Sequence, residues 1–290
     1  MDKVVHISNF INNVYVPTEN KIESFNPSTG KPLCLVPDSG KMETDMAVEA
    51  ASQAFKTWSL TSYNERARIL NKIADQIELR LEEFARAESS DQGKPLSLAL
   101  SVEIPRAVTN FRFFASALIN HKNESTDLHE IKALTYTTEM ACGVAALISP
   151  WNLPLYLLTW KIAPCIAAGC TCVCKPSEFT SLTAFLLCDA FLKAGLPAGV
   201  VNIVFGYGHK VGNDLVTHPD ISLISFTGGT LTGTIIKVAT ASQTRKKLSL
   251  ELGGKNPGIV FPDANLNKYI NDIGRSCFQN SGQICLCSSR

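Results

Sequence analysis

From Gly143 onward the chain alternates short apolar runs with helical segments, and that alternation constrains the fold more than any other feature. Runs at about 143–149, 170–175, 200–205, 221–227 and 246–252 are apolar and strand-like. The segments between them, near 154–167, 179–194, 210–217 and 230–241, repeat apolar residues at helical spacing. Strands that each hand over to a helix form a parallel sheet with crossovers on both faces, buried on both sides. Gly169 and Gly195 stand where two of these helices should stop. The pattern predicts an α/β fold built on a Rossmann-like parallel five-stranded sheet.

Upstream, the first 40 residues mix β-like runs with turn signals, Val14-Tyr15-Val16-Pro17 and Asn26-Pro27-Ser28-Thr29-Gly30, and read as an edge hairpin. From Glu43 to Asn120 the period is helical. Ala47, Ala50, Ala51, Ala54 and Phe55 share one helix face; Leu70, Ile73, Ala74, Ile77, Leu81 and Phe84 share the next. Pro95 opens a third helix that carries Arg106 and Arg112. Residues 121–130 are polar, and Ala133 to Thr138 reads as an exposed strand, so 121–142 is expected to project as an oligomerisation arm. Residues 1–120 and 143–252 then form one domain. Residues 253–290, with a strand at Gly258-Ile259-Val260-Phe261 and a helix near 265–277, read as only the start of a second, catalytic domain.

The 27 basic and 26 acidic residues give a net charge of +1, which leaves no electrostatic footprint for nucleic acid or an acidic membrane surface. The N-terminus lacks a signal-peptide core and no apolar run reaches bilayer length, so a cytoplasmic protein is expected. Ten cysteines lie mostly inside apolar runs and are expected to be reduced. Cys170, Cys172 and Cys174 alternate onto one strand face, where packing as small hydrophobes explains them without a structural metal.

Four short segments carry candidate chemistry. Glu251 lies between Leu250 and Leu252 before Gly253-Gly254, a frame in which a partly desolvated carboxylate could serve as general base. Cys285 follows the Asn280-Ser281-Gly282 turn, where backbone N–H groups favour a thiolate. The Asn152 amide, in Trp151-Asn152-Leu153-Pro154, could donate to an oxyanion. Lys175-Pro176-Ser177-Glu178 closes the second strand, where a doubly wound sheet meets a nucleotide. Each has a plainer reading alone: an incidental thiol with Cys287 beside it, a surface glutamate, ordinary loop charges.

Together, in this order, the four segments resemble the aldehyde dehydrogenase superfamily. The resemblance implies NAD-dependent oxidation of an aldehyde to a carboxylic acid. Cys285 would be the nucleophile that forms a thiohemiacetal and then a thioester, Asn152 and the Cys285 N–H the oxyanion donors, and Glu251 the base that activates water. It also implies cofactor contacts from Trp151, Lys175, Glu178, Gly208, Gly228, Gly229, Gly233 and Leu252. In the loop Phe226-Thr227-Gly228-Gly229-Thr230-Leu231-Thr232-Gly233 the family's serine is replaced by Gly229, which removes one hydroxyl contact and should weaken binding. A carboxylate at Glu178 would repel a 2′-phosphate and favour NAD over NADP.

Residues 104–115 and 151–161 look like aldehyde dehydrogenase family 8, the branch that acts on 2-aminomuconic and 2-hydroxymuconic semialdehydes, the former in the kynurenine route of tryptophan breakdown. Arg106 would then hold the far carboxylate of a dicarboxylic semialdehyde; a surface ion pair is its alternative. Members of the family are longer than this chain and usually oligomeric. A homo-oligomer is expected of the full-length protein, whereas these residues alone are expected to show little activity. The alternative reading is a catalytically inactive NAD-binding or subunit-interacting fragment. The arm also lacks the family's proline in Thr138-Glu139-Met140-Ala141-Cys142-Gly143.

Overall fold

The computed structural model describes residues 4–290. The chain opens with strands β1 (Val5–His6), β2 (Asn9–Ile11), β3 (Val14–Val16), β4 (Lys21–Phe25) and β5 (Pro32–Pro37). Helices α1 (Lys41–Trp58), α2 (Tyr63–Leu79), α3 (Leu81–Gln92), α4 (Leu96–Leu98) and α5 (Ile104–Ile119) follow, with a π-helical turn at Ala99–Glu103 joining the last two. A hairpin of β6 (Ser125–Leu128) and β7 (Ala133–Tyr136) precedes the alternating region. There β8 (Val144–Ile148), α6 (Pro154–Ala167), β9 (Thr171–Lys175), α7 (Leu182–Ala194), β10 (Val201–Ile203), α8 (Asn213–Thr217), β11 (Ile221–Gly228), α9 (Thr230–Thr240) and β12 (Lys247–Leu252) succeed one another. Helix α10 (Leu266–Phe278) ends the regular structure.

The five predicted strands pair in parallel in the order β12-β11-β8-β9-β10, so the chain reverses direction of travel at β8, the doubly wound arrangement. The sheet has seven strands rather than five. The hairpin β2-β3 adds antiparallel to β10, Phe10 opposite Ile203, while β1, β5 and β4 make a separate small sheet. Pleating sorts the core into two layers. Cys172 and Cys174 face a layer with α2, α5, α6 and α7, whereas Val173, Ile224 and Phe226 face one with α1, α8 and α9. The cysteines of β9 are thus buried packing residues, and among the described residues no group of three or more His, Cys, Asp or Glu is placed to hold a metal.

Three expectations on element boundaries need correction. The second predicted helix is two: Arg80 leaves helical geometry at φ −114°, ψ 25°, its guanidinium pairs with Glu83 at 2.7 Å and Asp189 at 2.6 Å, and α3 starts at Leu81. The polar stretch 121–130 holds β6, which pairs with β7. Gly258 to Phe261 is not a strand; Ile259 and Phe261 are exposed, and no strand among the described residues pairs with this segment.

Candidate active site

Ligands of doubly wound sheets sit outside the carboxyl ends of the strands, where the strand order reverses. Here β8 runs out into Ser149-Pro150-Trp151, β9 ends at Lys175, and β11 ends at Gly228 immediately before α9. These ends enclose a cleft of ≈ 540 Å³ lined by Trp151, Lys175, Glu178, Gly208, Gly228 and Gly229. Lys175 is buried, and its Nζ donates to Glu178 Oε2 and the Pro176 carbonyl, both at 3.0 Å. Burial pulls its pKa down and the Glu178 carboxylate opposes that shift. Gly229 is the N-cap of α9 in extended geometry, with no side-chain cap, so first-turn N–H groups lack an intrahelical partner and favour an anion.

Gly233 and Leu252 do not line this cleft; they pack on each other. A Cβ at Gly233 would come within 2.7 Å of Leu252 Cδ2, so the missing side chain lets α9 lie close on β12. The two bear on the cleft through helix position.

The candidate nucleophile is set by a second piece of local geometry. After α10, Asn280, Ser281 and Gly282 take φ of +50°, +57° and +74° in succession. Two non-glycine residues in the left-handed region cost about 1–2 kcal/mol each, so the turn needs support. Asn280 Nδ2 donates to the Asn152 carbonyl at 3.0 Å, and Asn152 Nδ2 donates to the Gln283 carbonyl at 2.8 Å. Asn256 Nδ2 donates to the carbonyls of Cys285 and, at 3.1 Å, Cys287. The result is an exposed Cys285 beside a buried Cys287, whose thiol donates to the Gln279 carbonyl at 3.7 Å. Asn256 was not among the residues singled out from sequence; its only signal there is its place after Gly253-Gly254-Lys255 in a turn.

Glu251 differs from expectation. Leu250 and Leu252 pack toward the α9 layer, and strand alternation turns Glu251 to the opposite face of edge strand β12, where it is exposed. Thr227 is its neighbour across β11. On that side the buried Lys161 of α6 donates Nζ to Ser225 Oγ at 2.9 Å. Burial brings Lys161 down to about 8, and the charge of Glu251 partly offsets this. Nothing in the sequence singles out Lys161, because a helix lysine meets strand β11 only through the tertiary fold.

Arg106 is exposed on α5 with its guanidinium 5.6 Å from the centre of the Tyr156 ring, a cation–π placement. Among the described residues it forms no ion pair with a carboxylate. Arg112, six residues and under two turns along, pairs instead with Asp75 at 3.2 Å and with Glu78.

A family model described as the aldehyde dehydrogenase family matches residues 15–290. A human protein described as 2-aminomuconic semialdehyde dehydrogenase is 56% identical over 98% of this chain and 58% of its own length. A Pseudomonas 2-hydroxymuconic semialdehyde dehydrogenase is 45% identical over 98% of this chain and 60% of its own. Among solved structures, an aldehyde dehydrogenase from Bacillus cereus in complex with NAD+ superposes with a TM-score of 0.94 at 38% identity, covering 98% of this chain and 58% of that one. The chain therefore spans somewhat more than half the length of the relatives it matches.

Proposed function

This chain belongs to the aldehyde dehydrogenase family, and on that premise we propose that it carries the NAD-binding half and the reactive cysteine of an enzyme that oxidises an aldehyde to a carboxylic acid. The observation that carries the reading is the cleft itself, which gathers six expected cofactor residues beyond the carboxyl ends of β8, β9, β10 and β11. Its parts fit a dinucleotide. The N-terminus of α9 with Gly228 and Gly229 suits a pyrophosphate, nothing lies within 4 Å of where a Gly229 Cβ would be, and Glu178 offers acceptor oxygens to a ribose while disfavouring a 2′-phosphate. Bound there, NAD supplies the hydride acceptor.

The chain's own residues take the following parts. The Cys285 thiolate adds to the aldehyde carbon, and the resulting oxyanion takes the Cys285 N–H and the Asn152 amide; the latter exchanges its bond to Gln283 for this role. Glu251 takes a proton from the water that cleaves the thioester, with its exposed position giving it access to solvent. Asn256 is a positioning residue that fixes the cysteine loop. The relatives named for muconic semialdehydes favour a dicarboxylic semialdehyde such as 2-aminomuconic semialdehyde, whose distal carboxylate Arg106 would pair, since that guanidinium pairs with no carboxylate among the described residues. The β6-β7 hairpin, whose strands are exposed except at Leu128 and Ala133, is assigned as the arm that joins protomers of a homo-oligomer. No helix among the described residues is long and apolar enough to cross a membrane.

The test is NADH formation by the purified chain with NAD and 2-aminomuconic semialdehyde or a stabler analogue. Cys285→Ala should abolish turnover, and Cys287→Ala should leave much of it. Equal loss from both substitutions would refute Cys285 as nucleophile. Binding of NAD without turnover would favour the alternative, a catalytically inactive NAD-binding fragment.

A further inference from the structure

Away from the cleft, two thiols meet where the hairpin rejoins the sheet. Cys142 Sγ lies 3.6 Å from Cys170 Sγ, and the Cys142 backbone N–H also points at the Cys170 sulfur, at 3.4 Å. The approach is fixed by backbone. Val144 of β8 pairs in parallel with Thr171 of β9, and Thr171 N–H donates to the Gly143 carbonyl at 3.4 Å. Continuing that register puts Cys142 one residue from the position opposite Cys170, across strands spaced about 4.8 Å apart. Cα atoms in that relation fall inside the roughly 4.4–6.8 Å span a disulfide bridges. Gly143 holds φ at +117°, and a Cβ there would meet Ser222 Oγ at 2.5 Å, so the turn beside Cys142 has little freedom to open.

The two thiols differ in access. Cys170 is 6% exposed, whereas Cys142 is half-buried and lines an open groove of ≈ 600 Å³ with Ser222, Arg245 and Lys246. We propose that Cys142 and Cys170 are a dithiol that excess peroxide closes to a disulfide, pinning the base of the β6-β7 hairpin to the start of β9. The Cys142 thiolate, reached through the groove, attacks one peroxide oxygen, breaks the O–O bond and becomes a sulfenic acid, releasing an alcohol or water. Cys170 then attacks that sulfur and its proton leaves with the hydroxide as water. In sum, two thiols and one hydroperoxide give one disulfide, one alcohol (water, for hydrogen peroxide) and one water. The hydrogen bond to Cys170 and burial raise the pKa of Cys142, with the nearby Lys247 charge opposing them, so its thiolate fraction is small and the reaction needs excess oxidant.

The experiment treats the whole chain with excess hydrogen peroxide, blocks remaining thiols with N-ethylmaleimide and maps unreduced peptides by mass spectrometry. The expected product joins the Cys142 and Cys170 peptides with loss of two hydrogens and is reversed by dithiothreitol. It persists in Cys165→Ala and is absent from Cys142→Ser, whose position is half-buried and tolerates a hydroxyl. Oxidation should also raise the Tm of the unsubstituted chain and not that of Cys142→Ser. Recovery of Cys142 as a maleimide adduct or a sulfinic acid while other cysteines are consumed, or a bridge from Cys170 to Cys165, would overturn the proposal.

Discussion

The side-chain amide of Asn152 donates to the backbone carbonyl of Gln283 at 2.8 Å, tying the turn after β8 to the loop that presents Cys285. Asn280 returns the favour by donating to the Asn152 carbonyl at 3.0 Å, so two bonds close a ring between segments about 130 residues apart. The proposed oxyanion donor therefore also holds the nucleophile's loop. A single such bond contributes about 1 kcal/mol. Asn152→Ala should accordingly speed amide exchange across residues 281–287 about fivefold, as read by hydrogen exchange and mass spectrometry. Unchanged exchange there would show that the bond does not hold the loop.

Gly229→Ser should stabilise the protein and tighten the cleft. The position already has the extended geometry of an N-cap, and a new side chain meets nothing within 4 Å. Serine caps better than glycine by a few tenths of a kcal/mol, enough for a rise of about 1 °C in Tm. If its hydroxyl also reaches a phosphate, NAD affinity improves about fivefold, the worth of one hydrogen bond. Calorimetric titration and a thermal melt check the two effects separately; a lower Tm would contradict the cap geometry.

Lys161 gives a pH-dependent prediction with a defined sign. Burial lowers it from 10.5 to about 8 in the folded chain, while the unfolded chain keeps the ordinary value. Below pH 8 both states hold the proton and the folded state bears the full desolvation cost, on the order of 3 kcal/mol. Between 8 and 10.5 the unfolded state alone holds it, so that cost falls as pH rises. Lys161→Met removes the charge and orphans Ser225, a net gain of about 1–3 kcal/mol at pH 7 by urea denaturation. The advantage over the unsubstituted protein should shrink from pH 8 to 10.5, and a constant difference would contradict the assignment.

The parallel sheet was legible because apolar runs and helical periods alternate in order; of the expected cofactor residues, Lys175 and Glu178 followed from the end of a strand in a doubly wound sheet, and the others from the resemblance of their motifs to the family. What sequence missed depends on contacts between distant segments. The break at Arg80 answers to Asp189, the addition of β2-β3 to the sheet answers to β10, and Asn256 matters only because the loop of Cys285 folds back onto it. The misjudged exposure of Glu251 has a local cause: its leucine neighbours suggested burial, yet alternation on a strand puts neighbours on opposite faces. Gly233 and Leu252, expected at the cofactor, pack on each other instead of lining the cleft.

The most direct test of the central claim, that the cleft between β8, β9 and β11 holds NAD, is a calorimetric comparison of NAD and NADP binding to this chain and to Glu178→Gln. The account predicts saturable NAD binding, NADP at least about tenfold weaker because a carboxylate faces its 2′-phosphate, and loss of that preference in Glu178→Gln. Absence of saturable NAD binding, or equal affinity for both nucleotides in the unsubstituted chain, would contradict it.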